Sequence, residues 1–282
     1  MMSAFLHVIV VSFNTCSKTL QCLRFILRYT DLPFHLWVVD NASTDGSIDM
    51  LNELSAQNRE RLTLTRLSEN VGYTRAIASI YPNIPAHGYV CFINSDVYVG
   101  PGFAKRLHKH LERHPDIAAV APLGSGIGGW QDILKYHSPP SPADEFDEAK
   151  LVQVNHALQN THPKAITAKC IQGTVWMAKR AALEEIGELD TACVCGADDA
   201  DWSLRARLKN WRLLIALDTY VWHDNHSSFS VLDDHGKTWI TQSWDHFNRK
   251  WSGCFDHLSW SDLMESIDPT VYPAYQYEEF MV

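Results

Sequence analysis

Along the first ~130 residues, short apolar runs alternate with stretches whose apolar side chains recur every three or four positions. His7–Phe13 (HVIVVSF) reads as a buried strand, and Cys16–Tyr29 has helical spacing through Leu20, Leu23, Ile26 and Leu27. His35–Asp40 (HLWVVD) is a second strand, and the polar turn Asn41-Ala42-Ser43-Thr44-Asp45-Gly46 enters a helix over Ser47–Gln57. Leu62–Leu67 predicts a third strand, Tyr73–Ile80 a short helix, Tyr89–Ile93 a fourth strand, Gly102–His114 a helix and Ile117–Pro122 a fifth strand. Repeated β-α-β units of this length imply an α/β fold with a mostly parallel sheet and helices on both faces.

The regularity breaks at Gly124-Ser-Gly-Ile-Gly-Gly129. A proline-rich turn (Ser138–Pro142) and a polar helical stretch over Asp144–Gln159 follow, so residues 136–168 read as an inserted segment. Lys169–Lys179 predicts a strand, Arg180–Ile186 a helix stopped by Gly187, Asp201–Asn210 a helix, Trp211–Leu217 a strand and Lys237–Lys250 a C-terminal helix. The expected organisation is a first half over 1–123, a second half over 124–253, and a tail over 254–282 with no assigned role. Gly124-x-Gly126-x-x-Gly129 formally matches a dinucleotide fingerprint, but it comes after the fifth strand and no strong helix pattern follows it.

Composition narrows the function classes. A chain of 282 residues with 46% hydrophobic and 20% charged positions can bury a real core. Its formal net charge of −9 argues against non-specific nucleic-acid binding and against a polybasic membrane anchor. A nucleotide would therefore be held locally, by a metal, backbone N–H groups or single arginines. No apolar run approaches the ~20 residues of a membrane span. The N-terminus lacks a basic leader, so no signal peptide is expected. Seven scattered cysteines fit a reduced, cytoplasmic setting, and Cys193-x-Cys195 lacks a second pair at zinc-site spacing.

Candidate chemistry collects at strand ends. Asn94-Ser95-Asp96 closes the fourth strand, at the edge where open α/β sheets bind ligands, and a carboxylate there can reach a divalent cation carrying a diphosphate. Asp40 ends the second strand, where it would accept hydrogen bonds from a base or ribose, or else open an ordinary capped turn. In Asn70-Val71-Gly72-Tyr73-Thr74-Arg75, the glycine would let the backbone approach a nucleotide and Arg75 would contact its phosphate. Asp198-Asp199-Ala200-Asp201 packs three acids before a helix. Capping explains them, but mutual repulsion can also raise one pKa toward that of a general base. His223 follows a strand-like run, Thr219–Trp222, and could complete a metal site, with His226 close by.

Taken in order, these pieces resemble the family 2 inverting glycosyltransferases of GT-A fold, and in particular the rhamnosyltransferase-like branch. Val8–Asn14 is similar to the opening strand and nucleotide-facing loop, Val38–Ser47 to the second-strand motif, and Asn70-x-Gly72-Tyr73 to the third. Ile93–Val97 resembles the DXD-type metal motif in an Asn-x-Asp form. Gly173–Arg180 with Ile186–Asp190 resembles the acceptor-side strand and helix, Asp198–Arg205 the Glu-Asp-x-Asp block, and Phe247–Gly253 the C-terminal Lys-Trp-Gly signature. The resemblance spans about residues 5–253. It departs where Asp198 replaces the usual Glu and in Thr74–Ala78, and it has no counterpart for 136–168 or 254–282.

The resemblance implies a GT-A domain with a Rossmann-like sheet, an acceptor-side insertion and a C-terminal helical tail. It implies metal-dependent, inverting transfer of a hexose or deoxyhexose in glycan or polysaccharide biosynthesis. The donor would be a nucleotide-diphosphate sugar, and the acceptor a carbohydrate, a lipid-linked molecule or another hydroxyl compound. Asp199 would be the base, with Asp198 beside it. Ser12, Phe13, Asn14, Asp40, Asn70, Gly72, Arg75, Asn94, Ser95 and Asp96 would face the donor. Gly173, Trp176 and Asp201 would face the acceptor or sugar. Asp96 and His223 would hold Mn2+ or Mg2+. The expected location is the cytoplasm, including the periphery of a membrane that carries the acceptor, and self-association is left open. The competing readings are a catalytically inactive nucleotide-sugar-binding module, which would more naturally have lost the second acid cluster, and a nucleotidyltransferase, which would show a basic glycine-rich loop after strand one.

Overall fold

A computed structural model describes residues 4–136, 146–224 and 234–252. The Ser138–Pro142 turn, His226, Gly253 and the 254–282 tail lie outside the described residues.

The N-terminal half follows the predicted alternation. Strands β1 (Leu6–Ser12), β2 (Phe34–Asp40), β3 (Leu62–Arg66) and β4 (Tyr89–Ile93) pair in parallel in the order β3-β2-β1-β4. Helices α1 (Cys16–Tyr29), α2 (Ser47–Gln57) and α3 (Tyr73–Ile80) connect them. The apolar stripe of α1 is buried through Cys22, Leu23 and Ile26, as its spacing requires.

The sheet then continues through strands of both directions, β5 (Val97–Val99), β6 (Ile117–Gly124), β7 (Ala165–Ala168), β8 (Val175–Lys179) and β9 (Arg212–His223). The full order is β3-β2-β1-β4-β8-β6-β9-β5, with β7 also on β9. Strands β1, β2, β3, β4, β6 and β9 run one way and β5, β7 and β8 run against them, so the sheet is mostly parallel. Helices α4 (Phe103–Leu111), α5 (Glu148–Leu158), α6 (Arg180–Ile186), α7 (Asp198–Leu208) and α8 (Asp234–Trp251) complete the described elements. None of them is long and apolar enough to cross a membrane.

The position of β5 shows that the sheet curls. It follows β4 after three residues, yet it pairs at the opposite end of the strand order. Four strand spacings in a flat sheet are about 19 Å, while the four residue steps from Ile93 to Val97 reach about 14 Å. Curling brings the β9 edge back to the tip of β4 and so places His223 beside the Asn94-Ser95-Asp96 turn.

Residues 146–168 join the main body of the fold, since α5 packs on β9 and β7 is a strand of the same sheet. Three expectations change. Of the strand expected over Lys169–Lys179 only Val175–Lys179 forms (β8), and residues 169–174 are a connecting segment that borders the cleft described below. The strand predicted to stop at Leu217 runs on through Thr219–Trp222 as one twelve-residue strand. Its polar Asp218 is buried and accepts from His110 Nε2 at 2.9 Å. The acid-bearing helix starts at Asp198, so all three acids lie in its first turn.

Candidate active site

A cleft of about 380 Å3 opens at the C-terminal ends of β1, β2 and β4. Its floor comes from Val11, Phe13, Asn94 and Ser95, and one side from Asn41, Asn70, Gly72 and Tyr73. The opposite side is Gln172, Gly173 and Thr174 with Cys195–Asp199, and α8 adds Trp239, Ile240 and Trp244.

Alternation along β1 decides which donor-side residues reach this space. Phe13 does. Ser12 points away, and its hydroxyl pairs with Thr19 Oγ1 at 3.0 Å. Asn14, in a left-handed conformation, clasps two loops together: its Oδ1 accepts from Thr44 N at 2.7 Å and its N donates to Ser43 Oγ at 3.0 Å. Asp40 is fully buried behind the wall and accepts from Ser43 N at 3.3 Å. Its second oxygen has no hydrogen-bond partner among the described residues. The residue that reaches the cleft is its neighbour Asn41, whose amide bridges Asn70 Oδ1 (2.7 Å) and Val71 N (3.0 Å).

The third motif divides: Gly72 lines the cleft and Arg75 does not. Gly72 has φ +88°, and a Cβ there would lie 2.1 Å from Val194 Cγ1, so glycine is required by packing against Val194. Arg75 donates to Thr191 O at 3.2 Å and does not line the cleft. Both contacts tie α3 to the loop that leads into the acids.

The metal candidates are set by strand register. Antiparallel pairing of β5 with β9 sets Val97 opposite His223. This brings His223 Nε2 to 3.5 Å from Asp96 Oδ1, with Asp96 only 2% exposed. Two ligands of one cation, each at about 2.0–2.2 Å from it, lie near this separation. Ser95 lines the cleft, and Asp96 and His223 are not among its lining residues. A hard oxygen donor with an imidazole suits Mn2+ or Mg2+ completed by phosphate oxygens. A second group, Asp190, Cys193 and His246, could also hold a metal by proximity. There, however, Lys250 Nζ lies 2.6 Å from Asp190 Oδ2, and burial pushes the Cys193 thiol up to about 12. Both oppose cation binding.

The acids divide by environment. Asp199 Oδ2 accepts from Gly173 N and its Oδ1 from Ala200 N, both at 2.7 Å. Each oxygen keeps a further lone pair for a substrate proton. A Cβ at Gly173 would sit 3.3 Å from Asp199 Cβ, so glycine there keeps the approach open. Burial and then the Asp199 charge push the Asp198 carboxyl up to about 8. Burial also raises Asp199, against the pull of the Gly173 and Ala200 N–H groups. The helix N-terminus favours anions by at most ~2 kcal/mol and does not reverse this. Burial thus favours the protonated form of both carboxyls, most strongly at Asp198, while the Gly173 and Ala200 N–H groups favour the charged form of Asp199.

The folded-state value of Asp198 is raised, so its contribution to stability is complete at acid pH and is lost as pH rises toward about 8. Between about pH 4 and 8 the unfolding free energy of the wild-type chain should fall relative to that of Asp198→Asn, by at most about 1.4 kcal/mol per pH unit, and the difference should level off above pH 8. Buried His7 is common to both proteins and cancels in the comparison. Parallel stability curves for the two proteins would contradict the burial-raised carboxyl.

Asp201 and Trp176 are not in the cleft. Asp201 is fully buried, with Oδ2 2.8 Å from Arg205 Nε and Oδ1 2.9 Å from Trp251 Nε1 and 2.7 Å from Lys250 Nζ. It fastens α8 to α7. Trp176 is a core residue, stacked on Phe92 (centroids 4.4 Å apart) and packed against Trp202 at 4.7 Å. This aromatic column joins β4, β8 and α7, and so sets the acids relative to the Asn94-Ser95-Asp96 turn. Each aromatic pair contributes about 0.5–1.5 kcal/mol beyond burial.

Residues 7–187 match the profile of Glycosyl transferase family 2. The chain belongs to that family. No curated protein matches it in sequence. Among solved structures it is similar to the mannosyltransferase PcManGT from Pyrobaculum calidifontis in complex with GDP-Man and Mn2+, at 20% identity and TM-score 0.59, over 86% of this chain and 64% of that one. It is also similar to GalNAc-T7 with UDP, GalNAc and Mn2+, at 14% identity and TM-score 0.65, over 97% and 58% of the two chains. A third is TarS 1–349 of S. aureus in complex with UDP-GlcNAc, at 16% identity and TM-score 0.55, over 94% and 77%. At these identities the likeness establishes the GT-A-like fold. The chain spans less than two thirds of the first two proteins.

Eight of the residues predicted from sequence meet in the cleft: Phe13, Asn70, Gly72, Asn94, Ser95, Gly173, Asp198 and Asp199. Sequence reasoning missed Asn41, Tyr73, Gln172 and the α8 tryptophans. Asn41 and Tyr73 sit inside motifs already singled out, so adjacency was an available signal. Nothing local in α8 distinguishes a cleft-facing tryptophan from a core one.

Proposed function

We propose that the protein is an inverting glycosyltransferase that moves a sugar from a nucleoside diphosphate to a hydroxyl acceptor. The observation that carries this reading is a cleft lined both by the nucleotide-edge turn at Asn94-Ser95 and by the buried Asp198-Asp199 pair, with Asp199 held by the Gly173 and Ala200 N–H groups. Asn41, Asn70 and Phe13 hold the nucleoside side of the donor. Asp96 and His223 hold a divalent ion, which when bound neutralises charge on the diphosphate. Asp199 takes the acceptor's hydroxyl proton. The hydroxyl oxygen bonds to the anomeric carbon from the opposite face, and the nucleoside diphosphate leaves with the electrons of the broken bond. Protonated Asp198 keeps a second negative charge from building up beside the base. Transfer should therefore require one ionised and one neutral carboxyl in the pair.

The GDP-Man, UDP and UDP-GlcNAc complexes of the structural neighbours support a nucleotide-sugar donor, and the Mn2+ of the first two supports the metal. The rhamnosyltransferase-like branch, the hexose or deoxyhexose donor and a role in glycan biosynthesis belong to the same proposal, as does a cytoplasmic or membrane-peripheral location. Asp96→Ala should weaken Mn2+-dependent binding of GDP or UDP by at least roughly tenfold, measured by titration calorimetry with and without the ion. Equal affinity in the variant and the wild type would remove Asp96 from the metal site. An inactive binding module would instead bind nucleotide sugar and never release nucleoside diphosphate.

A further inference from the structure

The cleft has one wall that neither the nucleotide-facing loops nor the acids explain. Helix α8 buries Phe247 and Trp251 in a small core with Cys170, Cys193 and Leu204. One to two turns earlier, its half-buried Trp239, Ile240 and Trp244 line the cleft. Cys195 N donates to Ser243 Oγ at 3.1 Å, so the helix is fixed to the loop that enters the acid pair. Trp244 Nε1 lies 3.8 Å from where a Cβ on Gly196 would be, two residues before Asp198. An indole therefore borders the loop that leads into the acid pair.

Charge narrows what this wall can bind. Among the described residues lining the cleft there is no Lys, Arg or His, and the only ionisable acids are Asp198 and Asp199. An anionic acceptor would meet these carboxylates without a compensating cation. Aromatic faces are electron-rich and attract the slightly positive C–H hydrogens on the apolar face of a pyranose ring. Sites that combine such faces with a few polar groups orient a ligand by stacking and fix it by hydrogen bonds.

We infer that Trp244 and Trp239 form the acceptor subsite for a neutral saccharide. Its terminal ring stacks on Trp244 and presents a hydroxyl to Asp199, and Trp239 extends the platform to the next sugar. The inference rests on the glycosyltransferase reading and narrows its acceptor from any hydroxyl compound to an uncharged glycan.

The test is a panel of immobilised neutral, uronate-bearing and phosphorylated oligosaccharides, with vesicles of neutral lipid alongside, probed with the full chain. The wild type should bind neutral members. Trp244→Ala should weaken that binding about tenfold or more, Trp239→Ala should weaken it for longer glycans, and Trp244→Phe, which keeps an aromatic face, should retain most of it. Competition by the same free neutral glycan against the wild type supplies a readout that does not depend on how the variants fold. Preference for anionic glycans, binding to vesicles alone, no saccharide binding, or undiminished binding by Trp244→Ala would each overturn the inference. Stabilisation of the wild type by nucleotide sugars with Mn2+ tests the parent reading separately. If it fails while neutral glycans still bind, the transferase reading falls and the subsite remains.

Discussion

Asp199→Asn is expected to lower sugar transfer by roughly 10²–10⁴-fold while leaving nucleotide-sugar binding close to wild type. An asparagine keeps nearly the same volume and one oxygen to accept from the Gly173 or the Ala200 N–H, while its NH2 cannot accept from the other. What it removes is the capacity to accept a proton. The loss should therefore appear in kcat, with little change in donor affinity measured by titration. It should not be recovered by raising the pH. The partner change Asp198→Asn should behave differently. It keeps a neutral group beside Asp199, so activity should persist to higher pH than in the wild type, whose Asp198 ionises near about 8. Transfer at the wild-type rate by Asp199→Asn would assign the base elsewhere.

The second large effect is structural. Asp201→Ala removes an acceptor from three groups at once: Arg205, Lys250 and Trp251. Deleting one partner of a buried ion pair costs about 3–5 kcal/mol, because the remaining charge stays buried without compensation. Part of that cost is offset here. Arg205 retains the carbonyls of Ile186 and Glu188, and Lys250 retains Asp190. The expected loss in urea unfolding is therefore about 3 kcal/mol, at the low end of that range. Asp201→Asn should lose less, since an amide oxygen can still accept from Trp251. A loss below about 0.5 kcal/mol in the alanine variant would show that the cluster is an ordinary solvated surface pair. Because α8 carries Trp239 and Trp244, the alanine variant should also lose acceptor use before it loses nucleotide binding.

How much of this could be read from the chain depends on how local the determining physics is. The β-α-β half was legible almost to the residue. Each strand and helix there announces itself through its own period, as Cys16–Tyr29 and Tyr73–Ile80 do. Strand β5 was not legible, because three residues carry no period and its pairing with β9 depends on the curl of the whole sheet. Lys169–Lys179 looked like one strand because apolar content does not reveal that 172–174 turn aside to line the cleft.

Side-chain roles followed the same division. Asn94-Ser95 and Asp198-Asp199 could be placed from their strand-end and helix-start positions. Trp176 and Asp201 lie inside motifs of the resemblance but serve packing, one in an aromatic column and the other as an anchor for α8. Arg75 was a plausible phosphate ligand until α3 docked against Thr191. Motif membership identified residues that matter to this site, and tertiary contacts decided which of them face the substrate.

The central claim is proton-coupled inversion at one cleft, and product stereochemistry tests it most directly. A panel of nucleotide sugars should be incubated with the full chain, Mn2+ and a neutral glycan. Nucleoside diphosphate release should be followed, and the anomeric configuration of the product read by proton NMR coupling. The account predicts release that depends on Asp199 and a glycosidic bond whose configuration is opposite to that of the donor. A product that retains the donor's configuration would contradict it.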